Sequence, residues 1–136
     1  MNDLYEQEST GLHMLLFRDH NWKDDTSPQE MEGMMLKWIA WIQQLEKEGK
    51  LLGANPLERT GKLISGKNGE TVMDGPFAES KEAVGGYFLL KVPDFDEAMA
   101  IARSCPGLAY GLSVEVRPVA AICARFKENS LQHASN

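Results

Sequence analysis

Two segments of the chain, residues 12–18 and 84–92, carry apolar residues on both alternating sets of strand positions. Successive side chains of a strand point to opposite faces of a sheet, so such segments predict strands that are covered on both faces. The second segment is the more strand-like of the two and is expected at the centre of the sheet. Its paired glycines at 85–86 indicate a bulge or a close backbone approach. The fold must therefore provide packing on both sides of one sheet.

A long helix is expected between these two segments. Ser27 can cap it, Pro28 suits its first position, and Glu30 stands where a capping-box carboxylate reaches back. Gly49 is placed to end the helix in the left-handed conformation. An apolar stripe at helical spacing, expected to face the core, consists of Met31, Met34, Met35, Trp38, Ile39, Ile42 and Leu45. Trp41 lies beside the stripe and is interpreted as a residue that meets a partner.

Three further extended segments are expected after this helix. Residues 51–57 predict a short strand that Pro56 interrupts. Residues 62–67 and 70–74 flank an Asn-Gly pair, which is a strong signal for a β-hairpin.

A second helix and a last strand are expected near the end of the chain. Asp94 is a suitable N-cap for the helix, which Pro106 then stops. Residues 112–117 alternate strictly between apolar and polar and predict a strand that Pro118 ends.

The resulting order is strand, helix, strand, hairpin, strand, helix, strand. This order predicts an α+β fold of the ferredoxin-like, split βαβ plan, with two helices on one face of a mostly antiparallel sheet. We expect one domain at residues 11–120, after a polar lead-in at 1–10 and before a C-terminal extension and tail at 121–136. Because two helices cover only one face, a second subunit related by two-fold symmetry is expected on the other.

Composition narrows the classes of function without naming one. The 136 residues carry a net charge of -6, which does not favour nucleic acid. No apolar run is long enough to span a membrane, and the acidic first residues do not resemble a signal peptide, so a cytoplasmic location is expected. Cys105 and Cys123 are interpreted as reduced thiols. No P-loop, nucleophile elbow or zinc signature is present, so no cofactor or metal is expected.

The segment Asp-Gly-Pro-Phe-Ala-Glu-Ser-Lys-Glu at 74–82, followed by Gly-Gly-Tyr-Phe at 85–88, resembles the DGPF signature of the YCII-related family. Flanking segments at 27–31, 52–57, 66–69 and 114–119 agree with it. The similarity extends from residue 12 to about 120.

This resemblance implies a dimeric α/β barrel of ferredoxin-like protomers. It also implies a possible sigma factor partner, because many genes of the family stand beside extracytoplasmic-function sigma factors. The biochemical activity of the family is mostly unassigned, although some relatives use a His–Asp pair and one is a dehydrochlorinase of a chlorinated hydroquinone. Their histidine lies early in the first helix, whereas the first helix here contains none.

Asp74 and His20 are the candidate catalytic residues. Asp74 ends a strand beside a Gly-Pro turn, where it can act as a general base in a cleft or bind the backbone of its own turn. His20 lies in a polar loop with Trp22 and can titrate near neutral pH, although an ordinary surface loop is the more common explanation of such a histidine.

Candidate ligand-binding residues are Trp22, Glu79, Tyr87, Glu115 and Arg117. Glu115 and Arg117 share a strand face, so they can bind an anionic ligand or pair with each other.

Two functions remain open. One is a small-molecule enzyme or binding protein with a cleft at the homodimer interface, suited to a lyase-like or isomerase-like proton transfer. The other is a non-enzymatic accessory protein of sigma-factor regulation, which rests on the family resemblance.

Overall fold

The computed structural model describes residues 9–18, 26–75 and 83–121. Its strands are β1 (Ser9–Arg18), β2 (Leu51–Pro56), β3 (Lys62–Ser65), β4 (Thr71–Asp74), β5 (Gly86–Lys91) and β6 (Ser113–Ala120). Its helices are α1 (Pro28–Lys47) and α2 (Phe95–Arg103), with short 3-10 turns at Lys67–Gly69 and Pro106–Tyr110. The order of elements is the one that the sequence predicts.

Four strands form an antiparallel sheet in the order β2-β5-β1-β6, and β3 pairs with β4 in a separate two-stranded hairpin. With two helices beside this sheet, the fold is the predicted α+β, ferredoxin-like split βαβ plan. The two segments that are apolar on both sets of positions, β1 and β5, are the two central strands, as predicted.

One face of the sheet packs against both helices and holds the core. Leu15, Phe88 and Leu90 lie on this face and are almost completely buried. They belong to one cluster with Leu45 of α1 and Ala98 of α2. Because strand alternation places these residues on the same side, both helices cover the same face.

The other face is covered by neither helix, and we call it the open face. The strand register brings together its apolar side chains, since Met14 pairs with Leu89 and Leu16 pairs with Tyr87. Leu12 lies on the same side one pair further along β1. These five side chains are partly exposed, so this face has the apolar character predicted for it.

The two helices begin at the predicted caps. The Ser27 hydroxyl oxygen accepts a hydrogen bond from the Glu30 N–H at 3.2 Å and donates to the Glu30 carboxylate at 3.1 Å. Asp94 accepts from the Glu97 N–H at 2.8 Å. Gly49 follows α1 with a left-handed φ of 71°. Within the described part of the chain, no helix is long and apolar enough to cross a membrane.

The first and last strands are longer than predicted. β1 begins at Ser9, inside the segment expected as a polar lead-in, and its pairing with β6 shifts between Ser9 and His13. β6 continues through Pro118 to Ala120. The expectation that Pro118 ends this strand is wrong because β6 is an edge strand, where a missing N–H can face away from the sheet.

The predicted hairpin is present and projects from the sheet. Its pairs run from Lys62 with Asp74 to Ser65 with Thr71, and the turn between them contains Asn68 in a left-handed conformation with φ 63°. Every residue from 62 to 74 is exposed. We call residues 62–74 the hairpin arm.

Candidate functional site

A cavity of about 440 Å³ lies between α1 and the helix-facing side of β2 and β5. Its floor consists of Ala54 and Pro56 of β2, Gly86 of β5, and Gly85 just before β5. A Cβ atom on Gly86 would lie 3.2 Å from the Asn55 carbonyl oxygen and 3.3 Å from the Pro56 Cα. The predicted close backbone approach at 85–86 is therefore confirmed, and these small residues leave space beneath α1.

The helix side of the cavity is formed by the apolar stripe of α1. Met31, Met35 and Ile39 follow one another at intervals of one turn and line it. Met35 and Ile39 are 49% and 47% exposed, while Met34 and Leu45 are the buried residues of this helix. The expectation that the whole stripe faces the core is therefore wrong, because the small residues beneath this part of the helix leave nothing to pack against it.

An aromatic cluster closes one end of the cavity. Phe17, Trp38 and Phe88 line it, and their ring centroids lie 4.9 to 5.9 Å apart at steep angles. Such edge-to-face contacts hold the rings in place. Trp41 packs behind them and donates from Nε1 to the Ser104 hydroxyl at 2.9 Å. Trp41 thus contacts the end of α2 in its own chain, and the interpretation that it also meets a partner stays a prediction.

The lining of the cavity contains little polarity. Among the described residues that line it, none carries a charge at neutral pH. Asn55 and Tyr87 belong to the lining, and the Asn55 side-chain amide donates to the Tyr87 hydroxyl at 3.2 Å. Alternation with Gly86 and Phe88 directs the Tyr87 side chain to the open face. One predicted ligand-binding residue, Tyr87, thus borders the cavity, but its side chain points to the other face of the sheet.

The other two described ligand candidates form an ion cluster on the open face. Arg18 reaches Glu115 Oε1 with Nη2 at 2.7 Å and Nε at 3.2 Å, and Arg117 reaches Oε2 at 3.0 Å. The hydrogen bonds from Arg18, and to a smaller extent the one from Arg117, hold the pKa of the Glu115 carboxyl below its ordinary value. The shared face of Glu115 and Arg117 is confirmed. Arg18 escaped prediction because 97 residues separate it from Glu115, and only the strand register joins them.

Asp74 lies at the end of β4 in the hairpin arm, apart from the cavity lining. Its carboxylate pairs with Lys62 Nζ at 3.1 Å, and 77% of its side chain is exposed. The acid–base role of Asp74 stays a prediction. His20, Trp22 and Glu79 lie outside the described residues.

His13 alternates with apolar residues along its strand, which predicts an interior histidine with satisfied hydrogen bonds. It is interior, with 5% exposure, and its ring lies 6.2 Å from that of Phe95. Its Nδ1 atom has no hydrogen-bond partner among the described residues, so a hydrogen bond to this atom stays a prediction.

Neither a metal centre nor a reactive thiol emerges from the described ranges. They contain no group of three His, Cys, Asp or Glu side chains that could hold a metal ion. Cys105 is a free buried cysteine, and burial raises the pKa of its thiol. Cys123 lies outside the described residues.

A family model of the YCII-related domain matches residues 12–122, from the first strand to just past the last. The chain belongs to the YCII-related family. The membership indicated by the motif at 74–82 is confirmed, and one family domain contains both the cavity and the open face.

This chain is similar to individual proteins both by sequence and by structure. An uncharacterized protein of Rhizobium meliloti (strain 1021) is 34% identical over 111 residues, which cover 79% of this chain and 90% of that protein. The 5-chloro-2-hydroxyhydroquinone dehydrochlorinase of Burkholderia phenoliruptrix AC1100, solved with 2,5-dihydroxybenzoquinone, is similar at a TM-score of 0.42 and 15% identity. That similarity covers 79% of this chain and 92% of the dehydrochlorinase. It is too distant to indicate what this chain binds.

Proposed function

We propose that this protein binds an uncharged, mostly apolar small molecule in the cavity between α1 and the sheet. The observation that carries the proposal is a cavity of about 440 Å³ with no charged residue among its described lining residues. Small-molecule sites have volumes of about 300–1,000 Å³ and mainly apolar walls. A charged ligand would lose its hydration without gaining a counter-charge, so a neutral one is favoured.

The walls of the cavity suit a flat ring. Phe17, Trp38 and Phe88 present aromatic edges and faces to the space, and rings prefer edge-to-face or offset contacts with one another. Met31 and Met35, which also line the cavity, have flexible, polarizable side chains that adapt to different outlines. We therefore favour an aromatic ligand over an aliphatic one.

Catalysis is a further step in this proposal. A lyase-like or isomerase-like proton transfer needs an acid or a base at the ligand. Among the described lining residues only Tyr87 has an ionisable side chain, and that side chain points to the open face, while Asp74 lies apart in an ion pair with Lys62. The geometry favours binding, and proton transfer by Asp74 or His20 stays a prediction. Regulation of a sigma factor also stays a prediction that no contact or comparison supports.

We also propose that the protein is a homodimer that pairs through its open face. Leu12, Met14, Leu16 and Leu89 form an apolar surface that neither helix covers. Exposed apolar surfaces of this kind mark interfaces. About a two-fold axis, the open faces of two copies can pack on each other and cover both.

Titration calorimetry with indole tests the binding proposal. Ala54→Leu adds a large side chain to the cavity floor, so we expect it to weaken indole binding at least about tenfold. Ala40→Leu makes the same change at an exposed position of α1, outside the described lining, and serves as the matched control. Indoleacetate, the charged counterpart, is expected to bind more weakly than indole.

Asp74→Asn separates binding from acid–base chemistry, since it should leave indole affinity unchanged. Equal indole affinity in the wild type and Ala54→Leu would overturn the cavity proposal.

A further inference from the structure

The hairpin arm is the most exposed apolar element of the described chain. Leu63 and Met73 form one cross-strand pair and are 50% and 56% exposed. Ile64 and Val72 form the next pair and are 64% and 53% exposed. Adjacent pairs in a strand point to opposite faces, so the arm carries large apolar side chains on both of its faces.

Such an arm is not a stable arrangement in water. A lone two-stranded hairpin is marginal and needs a hydrophobic face to pack against. A hairpin that only covers its own domain keeps one face polar and turned to solvent. The arm has no polar face at these two pairs, which indicates that a further surface covers it.

We propose that the hairpin arm of one chain packs against the open face of a second copy of this chain, reciprocally about a two-fold axis. The chain itself carries both complementary parts: an exposed apolar arm and an apolar sheet face that neither helix covers. A two-fold axis joins arm to face twice with one type of contact. This inference rests on the proposed homodimer, and it adds the arm to the interface.

Charge favours these two surfaces for self-association. The whole chain has a net charge of -6, so two copies repel each other. The arm is neutral, because Lys62 and Lys67 balance Glu70 and Asp74. The ion cluster on the open face joins two arginines to one glutamate. The electrostatic repulsion between two copies is therefore smallest when the arm of one approaches the open face of the other.

The area of the arm sets the size of its effect. A fully exposed aliphatic side chain offers roughly 100 Å² to bury. Four side chains that are about half exposed give roughly 200 Å² per arm, or roughly 400 Å² for two arms, against about 1,200–2,000 Å² in a stable interface. The arms can therefore strengthen an interface that the open faces mainly form, but they cannot replace it.

Sedimentation velocity of the full chain, from about 1 µM to about 100 µM, tests the proposal. Ile64→Lys places a charge on the arm at a position that is already 64% exposed, so the fold tolerates it. We expect the dimer Kd to rise about a hundredfold, at about tenfold for each of two arms. Leu36→Lys makes the same change on α1 at 62% exposure and should leave the Kd unchanged. Leu89→Lys, on the open face, should weaken the dimer as well.

The outcomes separate this inference from the proposals on which it rests. A wild-type dimer that Ile64→Lys leaves intact, but Leu89→Lys weakens, would overturn the role of the arm and leave the homodimer standing. A wild-type monomer over the whole range would overturn both the arm and the dimer. Indole binding by the wild type is read independently, so the cavity proposal has its own test.

Discussion

The helix-facing side of the sheet and the hairpin arm are both built from apolar β-residues, yet their environments are opposite. Leu15 and Leu90 of the central strands are fully buried, while Leu63 and Ile64 of the arm are 50% and 64% exposed. The two regions have equivalent residue types, and these favour strands in both. Residue type therefore does not explain why one region is buried and the other exposed. What lies opposite the strand decides burial: α1 and α2 cover the central strands, and the described chain offers the arm no such cover.

The largest expected effect comes from truncating one residue of each region. Leu15→Ala should lower the free energy of unfolding by about 3 kcal/mol, because it removes a fully buried side chain and leaves a cavity. Ile64→Ala should change it by less than about 0.5 kcal/mol in dilute solution, where the arm lies in water. Urea denaturation at low protein concentration measures both values. Similar losses for the two variants would mean that the arm packs within its own chain.

The second effect concerns the close contact between β2 and β5. Gly86→Ala should cost about 1–3 kcal/mol, because the new Cβ meets the Asn55 carbonyl oxygen at 3.2 Å and neither backbone can move easily. Gly53→Ala on the same strand pair is the control, since a Cβ there has no atom within 4 Å. Thermal unfolding of the two variants gives the comparison. An equal loss in both would show that glycine is needed at these positions for another reason.

Local signals predict a large part of this fold. Ser27 and Asp94 cap their helices through hydrogen bonds to residues three positions later, so short segments contain the information. The two central strands are also recognisable, because their apolar residues fall on both sets of positions.

The candidate site could not be predicted in the same way, because it depends on what meets across the fold. Met34 and Met35 belong to the same apolar stripe of α1, yet Met34 is buried and Met35 lines the cavity. Only the small residues beneath Met35, such as Ala54, make it a cavity wall. Arg18 meets Glu115 through strand register alone. Local sequence patterns predict the helices and strands. The cavity and the contacts between residues distant in sequence arise only when those elements pack together.

A smaller effect is expected at His13, on the packed side of the sheet. Its Nδ1 atom is buried without a hydrogen-bond partner among the described residues, which costs stability. His13→Leu removes this atom and keeps an apolar side chain near Phe95, so stability should rise by up to about 1 kcal/mol. His13→Asn keeps a buried polar group and should lower stability. A clear loss in His13→Leu, measured by urea denaturation, would indicate that Nδ1 has a partner that the described residues do not supply.

The smallest effect compares the ion pairs of the two regions. Lys62 and Asp74 in the arm are mostly exposed, whereas Glu115 on the open face accepts hydrogen bonds from Arg18 and Arg117. Solvent screens both sites, so each contributes little. Because the arginines lower the pKa of Glu115 below its ordinary value of 4.5, the folded protein holds this proton less tightly than the unfolded chain does.

The stabilisation from Glu115 is therefore complete above pH 4.5 and is lost as the pH falls through the lowered pKa. Glu115→Gln should melt slightly below the wild type at neutral pH, and the two melting temperatures should converge on acidification below pH 4.5. Glu58→Gln, which removes an exposed carboxylate with no ion pair in the described part of the chain, is the control. A difference between wild type and Glu115→Gln that stays constant down to acid pH would contradict the lowered pKa. It would mean that the contribution of Glu115 to stability comes from its shape and packing against the two arginines and does not depend on its charge.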